Sequence, residues 1–69
     1  MNYSDGKYIY YVSALLGENK FAVCRKEIGK TTFGNHKYKS SSNKTVSTLG
    51  EAQDYLDRLA QRKKWEAVS

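Results

Sequence analysis

Hydrophobic and polar positions divide the chain into a strand-rich first half and a helical second half. Residues 7–16, KYIYYVSALL, are rich in the aromatic and β-branched side chains that strands favour. The polar run Gly17-Glu18-Asn19-Lys20 separates them from a second apolar run, FAVC, which begins at Phe21. The pattern predicts a β-hairpin with strands at about residues 7–16 and 20–27.

A third strand is expected within residues 30–39. The turn dipeptide Gly34-Asn35 interrupts that segment, so the strand either ends at Phe33 or restarts at His36. Both alternatives give a three-stranded antiparallel meander. Residues 39–46 are mostly small and polar, and they bury too little surface to offset the entropy of ordering them. We expect a mobile surface loop there.

A helix is predicted over about residues 48–64. Thr48 and Glu51 form a capping box, in which the threonine hydroxyl accepts a hydrogen bond from the backbone three residues on. The apolar residues that follow recur at spacings of three and four, namely Leu49, Ala52, Leu56, Leu59 and Ala60. This stripe should cover one face of the sheet. Trp65 falls off the stripe, so residues 65–69 are expected to form a tail or short strand, with Trp65 closing the edge of the core.

Alternation along the hairpin predicts which residues share a face. We expect Leu16 to face Phe21 across the turn, because alternate residues of a strand point the same way. The core face then contains the pairs Ala14 with Val23, Val12 with Arg25, and Tyr10 with Glu27. The opposite face contains Tyr11 beside Lys26, and Ser13 beside Cys24. A slip of one residue would exchange the two faces.

The length and composition fit one α+β domain over residues 1–69. Splitting the 69 residues would leave two pieces too short to form a core unaided. The single cysteine, Cys24, cannot form an internal disulfide, and no apolar stretch approaches the roughly 20 residues that span a bilayer. We therefore expect a cytoplasmic protein with no membrane contact.

Positive charge is concentrated in the middle of the chain. The net charge is +5, and seven of the 12 basic residues lie between Lys20 and Lys44, where Glu27 is the single acid. A patch of one sign attracts polyanions, of which nucleic acid is the commonest inside cells. The alternative is a solvated face that serves solubility.

Enzyme chemistry finds little support in the sequence. Residues Gly29-Lys30-Thr31-Thr32 match the end of a phosphate-binding loop, but Cys24 occupies the position of its first glycine, and the residues that follow favour a strand. Cys24 and His36 are the only thiol and imidazole, too few for a zinc site without acids. We expect no catalytic residues, no metal and no cofactor.

The six tyrosines allow two kinds of binding surface. Tyr8, Tyr10 and Tyr11 cannot all face inward, and our register leaves Tyr11 on the open face near Lys26. Aromatic rings interleaved with amines can stack on bases and neutralise phosphates. The same rings also suit a protein interface or a homodimer, in which tyrosine is enriched.

The order of three strands, a loop and a helix opened by Val46-Ser47-Thr48-Leu49-Gly50-Glu51-Ala52 resembles a known group of DNA-binding domains. These are the arm-binding domains of phage and transposon integrases and the related plant AP2 domains. The resemblance implies a sheet laid into the major groove and backed by the helix. It also implies a reading face that includes Lys26 and Tyr11, with Lys30, Lys37 and Lys39 on phosphates. The first strand lacks the arginines typical of that family.

The sequence thus predicts a small basic nucleic-acid-binding accessory protein of phage or mobile-element type, with DNA favoured as partner. The candidate binding residues are Tyr11, Arg25, Lys26, Lys30, Lys37 and Lys39. The alternative is a module for protein interaction or homodimerisation, which would use exposed tyrosines and a sheet edge and have no nucleic-acid role. An acidic protein surface is the partner expected in that case.

Overall fold

A five-stranded antiparallel sheet with one helix on one face makes up the fold, which confirms the α+β prediction. The computed structural model describes residues 1–15, 19–29, 36–38 and 43–68. The sheet order is β4-β3-β2-β1-β5. The elements are β1 (Tyr3–Ser4), β2 (Tyr8–Ala14), β3 (Phe21–Glu27), β4 (His36–Lys37), α1 (Leu49–Lys63) and β5 (Glu66–Ala67).

Two short strands extend the predicted meander on one side. These two strands are β1 and β5, and β5 is the predicted short terminal strand. On the other side of the sheet, the third strand of the predicted meander corresponds to β4, which begins at His36 as one of the two alternatives expected. Strand β1 was not predicted, although Asp5-Gly6 is a turn dipeptide typical of hairpins. Gly6 adopts a φ of 97°, and the Asp5 carboxylate accepts hydrogen bonds from the backbone N–H groups of Lys7 and Tyr8. This turn returns the chain so that Tyr3 pairs with Tyr10.

The β2–β3 register differs from the predicted one by two residues and keeps the predicted faces. Ala14 pairs with Phe21, and Val12 pairs with Val23. Since side-chain direction repeats every two residues, a shift of two leaves every side chain on its expected face. The helix-side face contains Tyr8, Tyr10, Val12, Val23, Arg25 and Glu27. The opposite face, called the far face below, contains Ile9, Tyr11, Ser13, Ala22, Cys24, Lys26 and, from β4, Lys37.

Helix α1 begins and ends close to the predicted residues. The Thr48 hydroxyl accepts a hydrogen bond of 3.2 Å from the Glu51 backbone N–H, as expected for the capping threonine. Four of the five stripe residues are buried, but Leu49 in the first turn is 56% exposed. Leu49 precedes the part of the helix that contacts the sheet, so its place in the stripe was wrong.

The C-terminus of α1 turns the chain back onto the sheet. Lys64 is left-handed, with φ 61° and ψ 38°, and the backbone N–H of Trp65 bonds to the Ala60 carbonyl oxygen at 2.9 Å. The Trp65 ring then stacks on Tyr10, with centroids 3.7 Å apart and an interplanar angle of 6°. Trp65 also meets Tyr38 edge-on at 5.9 Å. Trp65 therefore closes the core as predicted.

The core centres on Tyr10, Val23 and Leu56. Tyr10 is 3% exposed, and its hydroxyl donates a 2.7 Å hydrogen bond to Asp5 in the β1–β2 turn. Burial and the bond to Asp5 raise the pKa of Tyr10 to about 12, although the Arg25 cation opposes the shift. Partial burial opposes ionisation of Asp5, but hydrogen bonds from Tyr8 and Tyr10 outweigh it and lower the pKa of that carboxyl.

Half of the predicted mobile loop at residues 39–46 belongs to the described part of the chain. Residues 39–42 lie outside the described part of the chain. Asn43 contradicts the expectation, because it is buried and its side-chain amide donates hydrogen bonds to the carbonyl oxygens of Val23 and Tyr38. Val46 is also held, by two backbone hydrogen bonds to Phe21. The second half of this segment is therefore tied to β3.

We expect Lys64→Gly to raise the free energy of unfolding by about 0.5–1 kcal/mol, because glycine adopts the left-handed conformation without the steric cost of a Cβ. The matched control is Lys63→Gly, one residue earlier and helical, which should lower it by about 1 kcal/mol. Urea unfolding of the three proteins measures both. Equal destabilisation by the two changes would contradict the left-handed cap.

We also expect a pH-dependent stability that Tyr10→Phe removes. The unfolded chain loses the Tyr10 proton near pH 10, whereas the folded protein keeps it to about pH 12. The stabilisation is therefore complete below pH 10 and is lost as the pH rises to about 12. Urea unfolding from pH 8 to pH 12 should show the free-energy gap between wild type and Tyr10→Phe narrowing above pH 10. If the difference in free energy of unfolding between the two proteins stayed constant over this pH range, the raised pKa of Tyr10 would be contradicted.

Candidate nucleic-acid interface

Three of the predicted binding residues lie together on the far face. Tyr11 of β2 pairs with Cys24 of β3, and Cys24 pairs with Lys37 of β4. Tyr11, Cys24 and Lys37 therefore form one row across the sheet. Lys26 follows Cys24 by two residues on the same face and pairs with Ile9. Neighbouring strands lie about 4.8 Å apart, so the backbones of Tyr11 and Lys37 are separated by about 10 Å.

Burial varies along this row. Lys26 and Lys37 are exposed and Tyr11 is half-buried, whereas Cys24 is 0% exposed. Burial raises the pKa of the Cys24 thiol, and the nearby Lys37 cation opposes that shift. Burial, with a smaller contribution from Cys24, also raises the pKa of Tyr11. The thiol is therefore protonated at neutral pH and is not the thiolate that a nucleophile requires.

The far face contains basic but no acidic side chains among the described residues of β2, β3 and β4. Glu27 pairs with Tyr8 and so belongs to the helix-side face. Asp54 and Asp57 lie on the helix. Glu66 of β5 belongs to the far face, because Ser4 pairs with both Glu66 and Ile9, but its strand is three places from that of Lys26 in the sheet. The arrangement presents two exposed amines beside an aromatic ring, without a neighbouring carboxylate on those three strands.

Arg25 does not belong to this group. It pairs with Tyr10 on the helix-side face, and its guanidinium lies 4.2 Å from the centroid of the Tyr8 ring. The Tyr38 ring is 5.7 Å away on the same face. Cation–π contacts of this kind hold the guanidinium within the aromatic cluster around Tyr10. The structure therefore separates Arg25 from the three residues with which it was predicted to act.

The remaining basic residues of the central segment add little to the described far face. Lys30 and Lys39 lie outside the described residues. Lys44 lines a cavity against the helix, and Lys20 is exposed just before β3, outside the paired strands. The candidate interface therefore consists of Tyr11, Lys26 and Lys37, with Ile9 beside Lys26.

Alternation along β3 could have corrected the place of Arg25 beforehand. The predicted register already put Arg25 on the same face as Val12, the face assigned to the core. Its charge nevertheless placed it among the binding residues. What the sequence did not show was the pair of rings, Tyr8 and Tyr38, that accommodates a cation at a half-buried position.

Most of the tyrosines are explained by the core. Tyr10 is buried, and four more pack against the core cluster, namely Tyr3, Tyr8, Tyr38 and Tyr55. The Tyr3 hydroxyl donates a 2.8 Å hydrogen bond to Asp57 on the helix. Tyr11 is the one tyrosine on the far face. The abundance of tyrosine is thus mainly a property of the helix–sheet contact.

Metal binding and membrane insertion find no support in the described part of the chain. Its one histidine, its one cysteine and its acids form no group of three that could hold a metal ion. The register pairs His36 with Arg25 rather than with Cys24. Within residues 1–15, 19–29, 36–38 and 43–68, no helix has the length and apolar character needed to cross a bilayer.

Comparison with protein-family models, with curated proteins and with solved structures gives no match to this chain. The resemblance to integrase arm-binding and AP2 domains therefore rests on the helix-opening motif and on the order of elements alone.

Proposed function

We propose that the protein binds nucleic acid, with duplex DNA as the favoured partner, through the far face of the sheet. The observation that carries this proposal is the grouping of Tyr11, Lys26 and Lys37 on one face, with no acid beside them on the described residues of β2, β3 and β4. Exposed lysines neutralise phosphates and release counterions. Binding without catalysis is the role we assign.

Duplex DNA is favoured over single strands because of the number of rings. Sheets that bind single strands stack two or three bases on aromatic side chains. Tyr11 is the single aromatic residue on the described far face. The resemblance noted from the sequence also implies a sheet laid into the major groove of duplex DNA. Lys26 and Lys37 would contact phosphates, and Tyr11 would contact a base edge or sugar.

The fold is compatible with the resemblance noted from the sequence, in which a helix backs the sheet that contacts DNA. Arg25, one of the predicted binding residues, does not contribute to this face, because its guanidinium lies against the Tyr8 and Tyr38 rings on the helix side. An accessory role in a phage or mobile element follows from the resemblance, and we propose it only on that ground.

The alternative, a protein-interaction or homodimerisation module, receives less support. Its main argument was a surplus of exposed tyrosines, and five of the six lie on the helix side. The outer edge strand β5 has only two residues, so it offers few backbone groups for pairing with another chain. A salt-insensitive dimer in sedimentation would favour this alternative.

Replacing both exposed lysines of the far face should reduce the salt dependence of DNA binding. Each phosphate contact contributes about 0.9 to the slope of log K against log [salt], so Lys26→Gln with Lys37→Gln should reduce the slope by about 1.8. Fluorescence anisotropy with a labelled duplex at several salt concentrations measures this slope. The control is Arg62→Gln with Lys63→Gln, which removes the same charge from the end of the helix. A larger effect from the control pair would place the interface elsewhere.

Tyr11→Ser should weaken binding and leave the salt slope unchanged, because tyrosine contributes contact area rather than charge. We expect a loss of about fivefold to tenfold in affinity for duplex DNA, measured by the same anisotropy assay. Tyr55→Phe, on the helix, is the control and should bind as wild type does. A Tyr11→Ser protein that binds DNA normally but loses self-association would support the protein-interaction alternative instead.

A further inference from the structure

The side chain of Ile28 extends the far face beyond the end of β3. The backbone N–H of Ile28 donates a 2.9 Å hydrogen bond to the Lys7 carbonyl oxygen, so the ladder between β2 and β3 continues for one more pair. Alternation along β3 then carries the far face from Cys24 through Lys26 to Ile28. Gly29 follows with a φ of 83° and turns the chain away. Ile28 therefore lies at the end of the far face, about 7 Å along the chain from Lys26.

Ile28 also places apolar surface in water next to a cation. Its side chain is 47% exposed, and Lys26 is exposed as well. Ile9, which pairs with Lys26, is the diagonal neighbour of Ile28 on β2 and is half-buried. Diagonal neighbours lie about 7–8 Å apart, within reach of long side chains. The two isoleucines thus put apolar surface on two sides of the Lys26 amine.

A duplex offers one group that matches an apolar side chain beside a lysine. The base-pair edges in the major groove present hydrogen-bond donors, hydrogen-bond acceptors and the C5-methyl group of thymine. Isoleucine has no polar side-chain atom, so a donor or acceptor covered by Ile28 would lose its water without gaining a partner. A thymine methyl loses nothing in this way and gains an apolar contact.

We propose that Ile28 contacts the C5-methyl group of a thymine when the far face lies on duplex DNA, with Lys26 on a neighbouring phosphate. This inference rests on the proposed DNA binding and adds a determinant of specificity to it. Phosphate contacts carry no direct sequence information, whereas contacts with base edges do. Ile28 thereby favours sites that contain thymine over sites that lack its methyl group.

Replacing thymine by uracil tests the contact, because uracil keeps the hydrogen-bonding groups of thymine and lacks the methyl. We expect the full wild-type chain to bind a labelled duplex of alternating adenine and thymine about fourfold more tightly than the same duplex with uracil. This is the effect of burying about one methyl group. Fluorescence anisotropy at one low salt concentration measures both affinities.

The two ways in which this comparison could fail have different meanings. Equal affinities for the two duplexes would overturn the contact with the methyl group and leave DNA binding in place. Failure to bind either duplex at low salt would overturn the proposed DNA binding, and the role of Ile28 with it.

The variant Ile28→Ser tests whether this side chain is the source of the preference. The side chain is exposed and the backbone bond to Lys7 does not depend on it, so we expect the variant to fold. Its preference for thymine over uracil should disappear. The matched control is Leu49→Ser, which removes an apolar side chain that is 56% exposed in the first turn of α1 and should keep the fourfold preference. A fourfold preference retained by Ile28→Ser would overturn the proposal.

Discussion

The stack of Trp65 on Tyr10 is the contact on which the arrangement of helix and sheet depends. Tyr10 occupies the middle of β2, and Trp65 follows the left-handed residue that ends α1, so the stack joins the end of the helix to the centre of the sheet. The same tyrosine donates its hydroxyl proton to Asp5 in the first turn. Tyr10 thus connects β2 to the turn that precedes it and to the end of α1, which is far away in sequence. Because it fixes the face on which the helix lies, it also determines which strand residues remain on the opposite side.

Local rules accounted for the helix and for the two faces of the hairpin. Thr48 and Glu51 located the start of α1, and the spacing of Leu56, Leu59 and Ala60 located its buried side. The predicted β2–β3 register was wrong by two residues, and a shift by an even number leaves each side chain on its predicted face. These features depend on neighbours in sequence, which is why they could be read from it.

Long-range contacts were harder to foresee. Strand β1 is two residues long, which is too short to show an apolar pattern in the sequence. The turn at Asp5 and the pairing with β5 hold it in the sheet. Arg25 was misplaced because its half-buried site is built by Tyr8 and Tyr38, from β2 and from beyond β4. Of the candidate interface, alternation along the hairpin placed Tyr11 and Lys26 on one face, as the register has them. Lys37 joins them through the pairing of β4 with β3, which was not predicted residue by residue.

The brevity of β5 also bears on how the protein behaves when it is concentrated. A long exposed edge strand offers a row of unpaired N–H and C=O groups on which other chains can assemble into aggregates. Here the outer strand is Glu66–Ala67, and one of its two residues is charged. A chain with this much β structure therefore carries, on that side of the sheet, a built-in protection against edge-to-edge polymerisation.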